Sequence, residues 1–373
     1  MTALVLWRNV GAPFAVHSMI VGLSVLAAME LTERAPAGFV NPMLESTVPF
    51  IDKLIKWDAH WYTYTAQYGY DKQNIVFFPV LIVLLRLCGE LGFHVGVCGF
   101  VLCNLFSFSS FFYLHLVFRQ DFSERIARRA VWMYAVMPTS FFLNTIYTEP
   151  LFLTFSLATL YYLRKNQWWT AGYAAALAAV TRNIGIFLAV VMICEMIMRR
   201  NHGREVAQWR WAFLLPPAAL AGFMVYSYWH IGSAVAFVEG QYAWGRQFEY
   251  PWVNVWNDVL LIKEHFPEIE PGIVLDLFLV LLCFVAMLLL TGSNRFRIRR
   301  SHLLLGWIWF VVPLLSTSPW FPLYSMARFV LVIFPLYVFL AQLPNLLYRI
   351  CLAGGAITLS YCTIAFASWR WIG

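Results

Sequence analysis

Ile75-Val76-Phe77-Phe78-Pro79-Val80-Leu81-Ile82-Val83-Leu84-Leu85-Arg86-Leu87-Cys88-Gly89-Glu90-Leu91 is an apolar run of about 17 residues, a marginal length for crossing a bilayer. Upstream lies a polar stretch, residues 31–74, carrying Glu33, Glu45, Asp52, Asp58 and Asp71. Downstream, residues 93–118 are apolar and long enough to cross, and Arg119, Arg125, Arg128 and Arg129 follow. If run 75–91 crosses, this arginine loop shares a side with the acidic stretch. The later basic clusters go with it: Arg164-Lys165; Arg199, Arg200, Arg204 and Arg210; Arg295, Arg297, Arg299 and Arg300. Every cluster then faces outward, against the positive-inside rule. If the run only dips into the outer leaflet, all of them face inward. Pro79 near its start and Arg86 late in it suit a re-entrant or juxtamembrane helix packed on protein. The expectation is therefore a run that does not cross.

The bulk composition agrees with a membrane setting. Of 373 residues, 61% are hydrophobic and 12% charged, against roughly 25% charged in soluble domains. The net charge of +7 sits in short clusters between apolar runs rather than on one continuous face, which argues against nucleic acid. The seven cysteines, Cys88, Cys98, Cys103, Cys194, Cys283, Cys351 and Cys362, form no CxxC and fall in apolar stretches. They read as buried thiols, with no disulfide framework and no zinc site. P-loop, GxGxxG, HExxH and GxSxG motifs are all absent.

The remaining runs alternate across the bilayer. Residues 10–29 form a first span, read as a retained signal anchor. Runs 131–144 and 150–163 flank a short turn at 145–149, and 168–180 with 184–198 form a short hairpin. Runs 211–231, 273–290, 303–316, 325–341 and 350–367 complete the set. The expectation is an all-α polytopic membrane protein of about 11 transmembrane helices, forming one integral membrane domain over residues 1–373. Residues 30–92 make a first external loop with re-entrant helices, and residues 232–272 a second long one. The N-terminus is inside and the C-terminus outside.

Against this apolar background a few polar residues stand out. Asp58 lies in Trp57-Asp58-Ala59-His60-Trp61, where a carboxylate among aromatic rings suits holding a sugar and deprotonating a hydroxyl; the competing reading is an N-cap. Glu149, before Pro150 on the short turn, is an acid close to hydrocarbon, which usually faces a cavity or a partner. It could orient an acceptor or act as a second carboxylate; it could also simply cap a helix. Arg182 interrupts a long uncharged stretch, and Arg328 sits near the start of a span. Both suit a lipid phosphate, against a salt bridge from Arg182 to Glu149 or Glu195 and snorkelling of Arg328. In the second loop, Gln241, Trp244 and Arg246 suit a pyranose, with an interfacial aromatic belt as the rival. His60 could hold the sugar or the base.

Taken in order, Trp57-Asp58, Gly69-Tyr70, Phe77-Phe78-Pro79, Tyr147-Thr148-Glu149, Thr181-Arg182 with Gly185, Gln241 with Trp244-Gly245-Arg246, and Arg328-Phe329 with Phe334-Pro335 resemble the PIG-V mannosyltransferase family. That family lies within the GT-C class of polyprenyl-phosphate-sugar-dependent glycosyltransferases. The resemblance implies a GT-C-type fold, a catalytic acid at Asp58 and a second acidic position at Glu149. It implies inverting transfer of a mannose (hexose) from a polyprenyl-phosphate donor to an acceptor hydroxyl of a glycan, lipid or protein. In that scheme Arg182 or Arg328 steadies the phosphate and Trp57, His60, Trp61, Gln241, Trp244 and Arg246 contact sugar or acceptor. No metal or other cofactor is required. The chain is shorter than the eukaryotic enzyme of GPI assembly, which makes a GPI-type acceptor doubtful. Its compactness is similar to that of a bacterial homologue, whose site would face outward from the plasma membrane. A lipid or sugar transporter or flippase also buries charges, but needs no acid–aromatic cluster and often shows repeated halves, which are not found here. A non-catalytic subunit of a glycosyltransferase complex is the third reading.

Overall fold

The computed structural model describes residues 3–31, 48–201, 208–293, 296 and 298–372. Glu33, Glu45, Arg204, Arg295 and Arg297 lie outside the described residues. Among the described residues, sixteen α-helices of six residues or more carry the fold. The first, α1 (Leu4–Met29), includes a π-helical turn at Trp7–Gly11. Then come α2 (Asp58–Tyr68), α3 (Pro79–Glu90), α4 (Val95–Asp121), α5 (Glu124–Ala135), α6 (Glu149–Arg164), α7 (Trp168–Ala179) and α8 (Leu188–Asn201). They are followed by α9 (Leu215–Ile231), α10 (Ala236–Ala243), α11 (Pro251–His265), α12 (Pro271–Gly292) and α13 (Arg300–Leu314). Last are α14 (Met326–Leu331), α15 (Pro335–Ala341) and α16 (Asn345–Ala367). Among the described residues the only sheet is a ribbon pairing Gln247 with Thr317 and Phe248 with Ser316.

The apolar run read first becomes α3, 12 residues long and opened by Pro79 at its first turn. At 1.5 Å per residue it spans about 18 Å, well short of a hydrocarbon core of about 30 Å. It packs against α2 and the start of α4. Among the described residues, five helices are long and apolar enough to cross alone: α1, α4, the segment Trp211–Ile231, α12 and α16. Others of the expected spans are shorter or broken. Run 131–144 ends its helix at Ala135 and continues past Pro138 as the 3-10 turn Ser140–Leu143. Run 325–341 divides into α14 and α15, with Pro335 opening the second. Such breaks survive at membrane depth only inside protein, and Val332, Ile333 and Phe334 are fully buried.

One expectation needs correcting. Cys88, near the end of α3, and Cys98, in the first turn of α4, are joined in a disulfide. The turn between these helices folds back tightly enough to bring their Cα atoms to 6.4 Å, inside the range a disulfide spans. Neither is a free thiol at lipid depth.

The charges segregate by end. The helix α4, about 40 Å long, starts where Gly96 packs on Ile55 and ends at Asp121. Around that far end, Arg119 meets Glu124 at 3.0 Å, Arg164 meets Asp121 at 2.8 Å, and Arg8 lies 3.8 Å from Glu124. Arg299 pairs with Glu195 through Nε at 3.1 Å and Nη2 at 2.9 Å. At the C-terminal end of α1, Lys53 donates to the Ala28 carbonyl, and Asp58 lies at that end.

Candidate active site

Asp58 is the first residue of α2, and the backbone before it is strained. Trp57 has φ 55°, a left-handed conformation that a bulky side chain adopts only when its surroundings impose it. Its ring supplies that constraint, lying edge-on to Trp369 at 5.6 Å and Trp371 at 5.1 Å. The Tyr147 hydroxyl accepts from the Asp58 N–H at 3.2 Å and donates to the Lys56 carbonyl at 3.3 Å. Asp58 is thus locked at the head of α2, with its carboxylate about a quarter exposed.

Three guanidiniums line a cavity together with it. Arg328 Nη1 contacts Asp58 Oδ2 at 2.6 Å, while its Nε lies 3.4 Å from Glu149 Oε1. Arg182 pairs with the same oxygen of Glu149, so the salt bridge weighed for Arg182 is made. Glu149 Oε2 has no hydrogen-bond partner among the described residues. Arg246 lies over the Tyr324 ring at 4.5 Å. Burial pushes the Arg246 guanidinium down to about 10, and the nearby charges of Arg328 and Arg182 add to that. Burial first, and then the charge of Asp58, raises the Tyr324 phenol. Three cations against two carboxylates leave the cluster positive, which favours an anionic ligand.

A cavity of about 280 Å³ opens beside this cluster, near the lower end of small-molecule pockets. Asp58, Arg182, Arg328, Gln241, Trp244 and Arg246 all reach its wall. Asp58 and Arg328 touch across no gap; the space for a ligand lies beside the pair. Glu149, 1% exposed, is not on the wall but behind it, where it holds Arg182 and Arg328. Trp57, His60 and Trp61 also stand back from the cavity. Trp61 supports it indirectly, stacking on Phe77 at 6.3 Å and meeting Trp244 edge-on at 5.2 Å. His60 stacks on Tyr64, and burial lowers its imidazole, favouring the neutral form.

Tyr62, Thr148, Asn183, Tyr324 and Trp371 line the cavity as well, and none was singled out from the sequence. Thr148 lies within the motif quoted for Glu149, and Tyr62 directly follows Trp61. Trp371 reaches the site because its backbone packs on Gly272, whose Cβ would stand 2.5 Å from the Trp371 carbonyl oxygen. No local pattern reports that contact.

Known proteins give this geometry its context. The crystal structure of the Archaeoglobus fulgidus oligosaccharyltransferase in its apo form aligns with 95% of this chain and 56% of its own, at 13% identity and a TM-score of 0.45, too low a likeness to argue from. The GPI alpha-1,6-mannosyltransferase 2 of Homo sapiens is 27% identical over 164 residues, and that of Rattus norvegicus 29%. In each case the match takes in 41% of this chain and 33% of the relative, so the chain spans about a third of their length. The family described as Mannosyltransferase (PIG-V) matches residues 15–251, more than half of the chain and the part holding Asp58, Glu149, Arg182 and Arg246. The chain belongs to the PIG-V mannosyltransferase family.

Proposed function

We propose that this protein transfers mannose from a polyprenyl-phosphate donor to an acceptor hydroxyl, with inversion, at the outer face of a membrane. The observation that carries the reading is Arg328 shared between Asp58 and Glu149 on the wall of a positive cavity. The donor phosphodiester binds Arg182 and Arg328, whose planar forks match phosphate oxygens. In the free protein Arg328 holds the Asp58 carboxylate in an ion pair at 2.6 Å. When the phosphate engages that guanidinium, Asp58 is relieved of its partner and its carboxylate is free to meet the acceptor hydroxyl with the donor already in place. The acceptor oxygen then forms its bond to the anomeric carbon while its proton passes to Asp58. The bond from that carbon to the phosphate oxygen breaks, its electron pair leaves with the polyprenyl phosphate, and the arginines stabilise the growing charge. Glu149 keeps both arginines in position, in place of the acceptor-orienting role weighed from sequence. Trp244, Tyr324 and Trp371 offer faces for the sugar ring.

The outward orientation is supported by the arginine-rich end opposite Asp58 and by the Cys88–Cys98 disulfide beside the proposed outer loop, since disulfides persist in oxidising compartments. The test is Asp58→Asn in purified, folded protein supplied with radiolabelled polyprenyl-phosphate-mannose. Transfer should fall by about 10²–10⁴-fold. An undiminished rate would remove Asp58 as the base.

A further inference from the structure

The segment that delivers Arg328 to the site is clamped from behind. Ser325, fully buried on that segment, has φ 62°, and a non-glycine residue keeps such a backbone only where neighbours over-determine it. Two acids supply the restraint from outside the cavity. Asp258 on α11 accepts a hydrogen bond from the Leu323 N–H, and Asp276 on α12 accepts one from the Ala327 N–H. Thr139 adds a third, donating its hydroxyl to the Ala327 carbonyl at 3.0 Å. Asp258 and Asp276 are 1% and 2% exposed, and among the described residues neither forms an ion pair. Burying two carboxylates without cationic partners is costly; here each is spent on one backbone N–H, one on either side of Ser325.

We propose that Asp258 and Asp276 are positioning residues for Arg328, fixing both sides of the Ser325 turn so that the guanidinium is held ready for the donor phosphate. This rests on the reading of Arg328 as a phosphate ligand. Neither acid touches the substrate; both act through the backbone.

The experiment compares Asp276→Ala with Asp276→Asn in folded, monodisperse protein. The probe is a sugar-free polyprenyl phosphate, its binding read by tryptophan fluorescence, alongside kcat and both KM values for transfer. D276A should weaken phosphate binding tenfold or more and raise donor KM with it, leaving acceptor KM unchanged. D276N, whose side-chain oxygen still accepts from Ala327, should stay within threefold of the parent. Should D276A not fold, Asp258→Ala carries the same expectation. Parent-like phosphate affinity in D276A, or equal weakness in D276A and D276N, overturns the inference alone. No binding by the parent chain overturns the phosphate reading of Arg328, and the inference with it.

Discussion

Arg328 satisfies two carboxylates with one side chain, and its neighbours leave it little freedom. Taking one member from a buried charge cluster exposes the others to an uncompensated environment, a far larger effect than the net worth of the pairing. On the proposed reading the site is poised: the donor phosphate replaces a carboxylate on Arg328, which solvent does poorly. Behind it, Asp258 gives a measurable consequence. Burial raises its carboxyl from 3.8 to about 7, partly opposed by the Leu323 N–H; the charged group near it is Asp276, on the adjoining helix. Between pH 4 and pH 7 the folded protein holds a proton that the unfolded chain has released, so stability falls as pH rises through this window and levels off above it. The slope is at most about 1.4 kcal/mol per pH unit. Melting of the detergent-solubilised protein between pH 5 and pH 8 should show that decline, and Asp258→Asn should flatten it. An unchanged slope in D258N would assign the dependence to another group.

At the scale of elements, the site is built from ends and interruptions: the start of α2, the turn after α7, the strained lead into α14. The turn after α7 depends on Gly185. A Cβ there would lie 2.7 Å from the Ala179 nitrogen and closer still to the Ala178 carbonyl, and backbone cannot give way as a flexible side chain can. Gly185→Ala should push the 3-10 segment Asn183–Phe187 off α7 and withdraw Arg182 from Glu149. The expected outcome is a loss of 1–3 kcal/mol, as for an overpacked core, with donor KM raised; a parent-like melting curve and KM would show that the turn can shift freely. These interruptions also explain what the sequence made legible. Arg182, Asp58 and Arg328 are conspicuous as charges in apolar surroundings, and all three line the cavity. Tyr62, Tyr324 and Trp371 are aromatic in a chain that is 18% aromatic and carry no such contrast. Asp276 is legible as an acid within an apolar run, but its partner is a backbone N–H 51 residues away. The Cys88–Cys98 pairing depends on how tightly one turn folds back, which spacing alone does not report.

Across the whole molecule, α1 and α4 each run between the arginine-rich end and the end where Asp58 lies. Arg8, Arg119, Arg164 and Arg299 meet Glu124, Asp121 and Glu195 at one end; Asp58 stands at the other. If α3 crossed the membrane, these arginines and Asp58 would share a face, contrary to the arrangement of α4. The proposed orientation then assigns opposite accessibilities to two exposed lysines. Lys72 follows α2 at the Asp58 end, and Lys165 follows α6 beside Arg164. In a background with the five free cysteines replaced by alanine, Lys72→Cys should react in intact cells with a membrane-impermeant maleimide. Lys165→Cys should react only after permeabilisation. Both variants leave the cavity wall untouched, so transfer activity in membranes serves as the control for folding. Labelling of Lys165→Cys alone in intact cells would invert the orientation and place the proposed base on the cytoplasmic side. Labelling of both would mean that α3 crosses as well, and the parity argument built on it would fall.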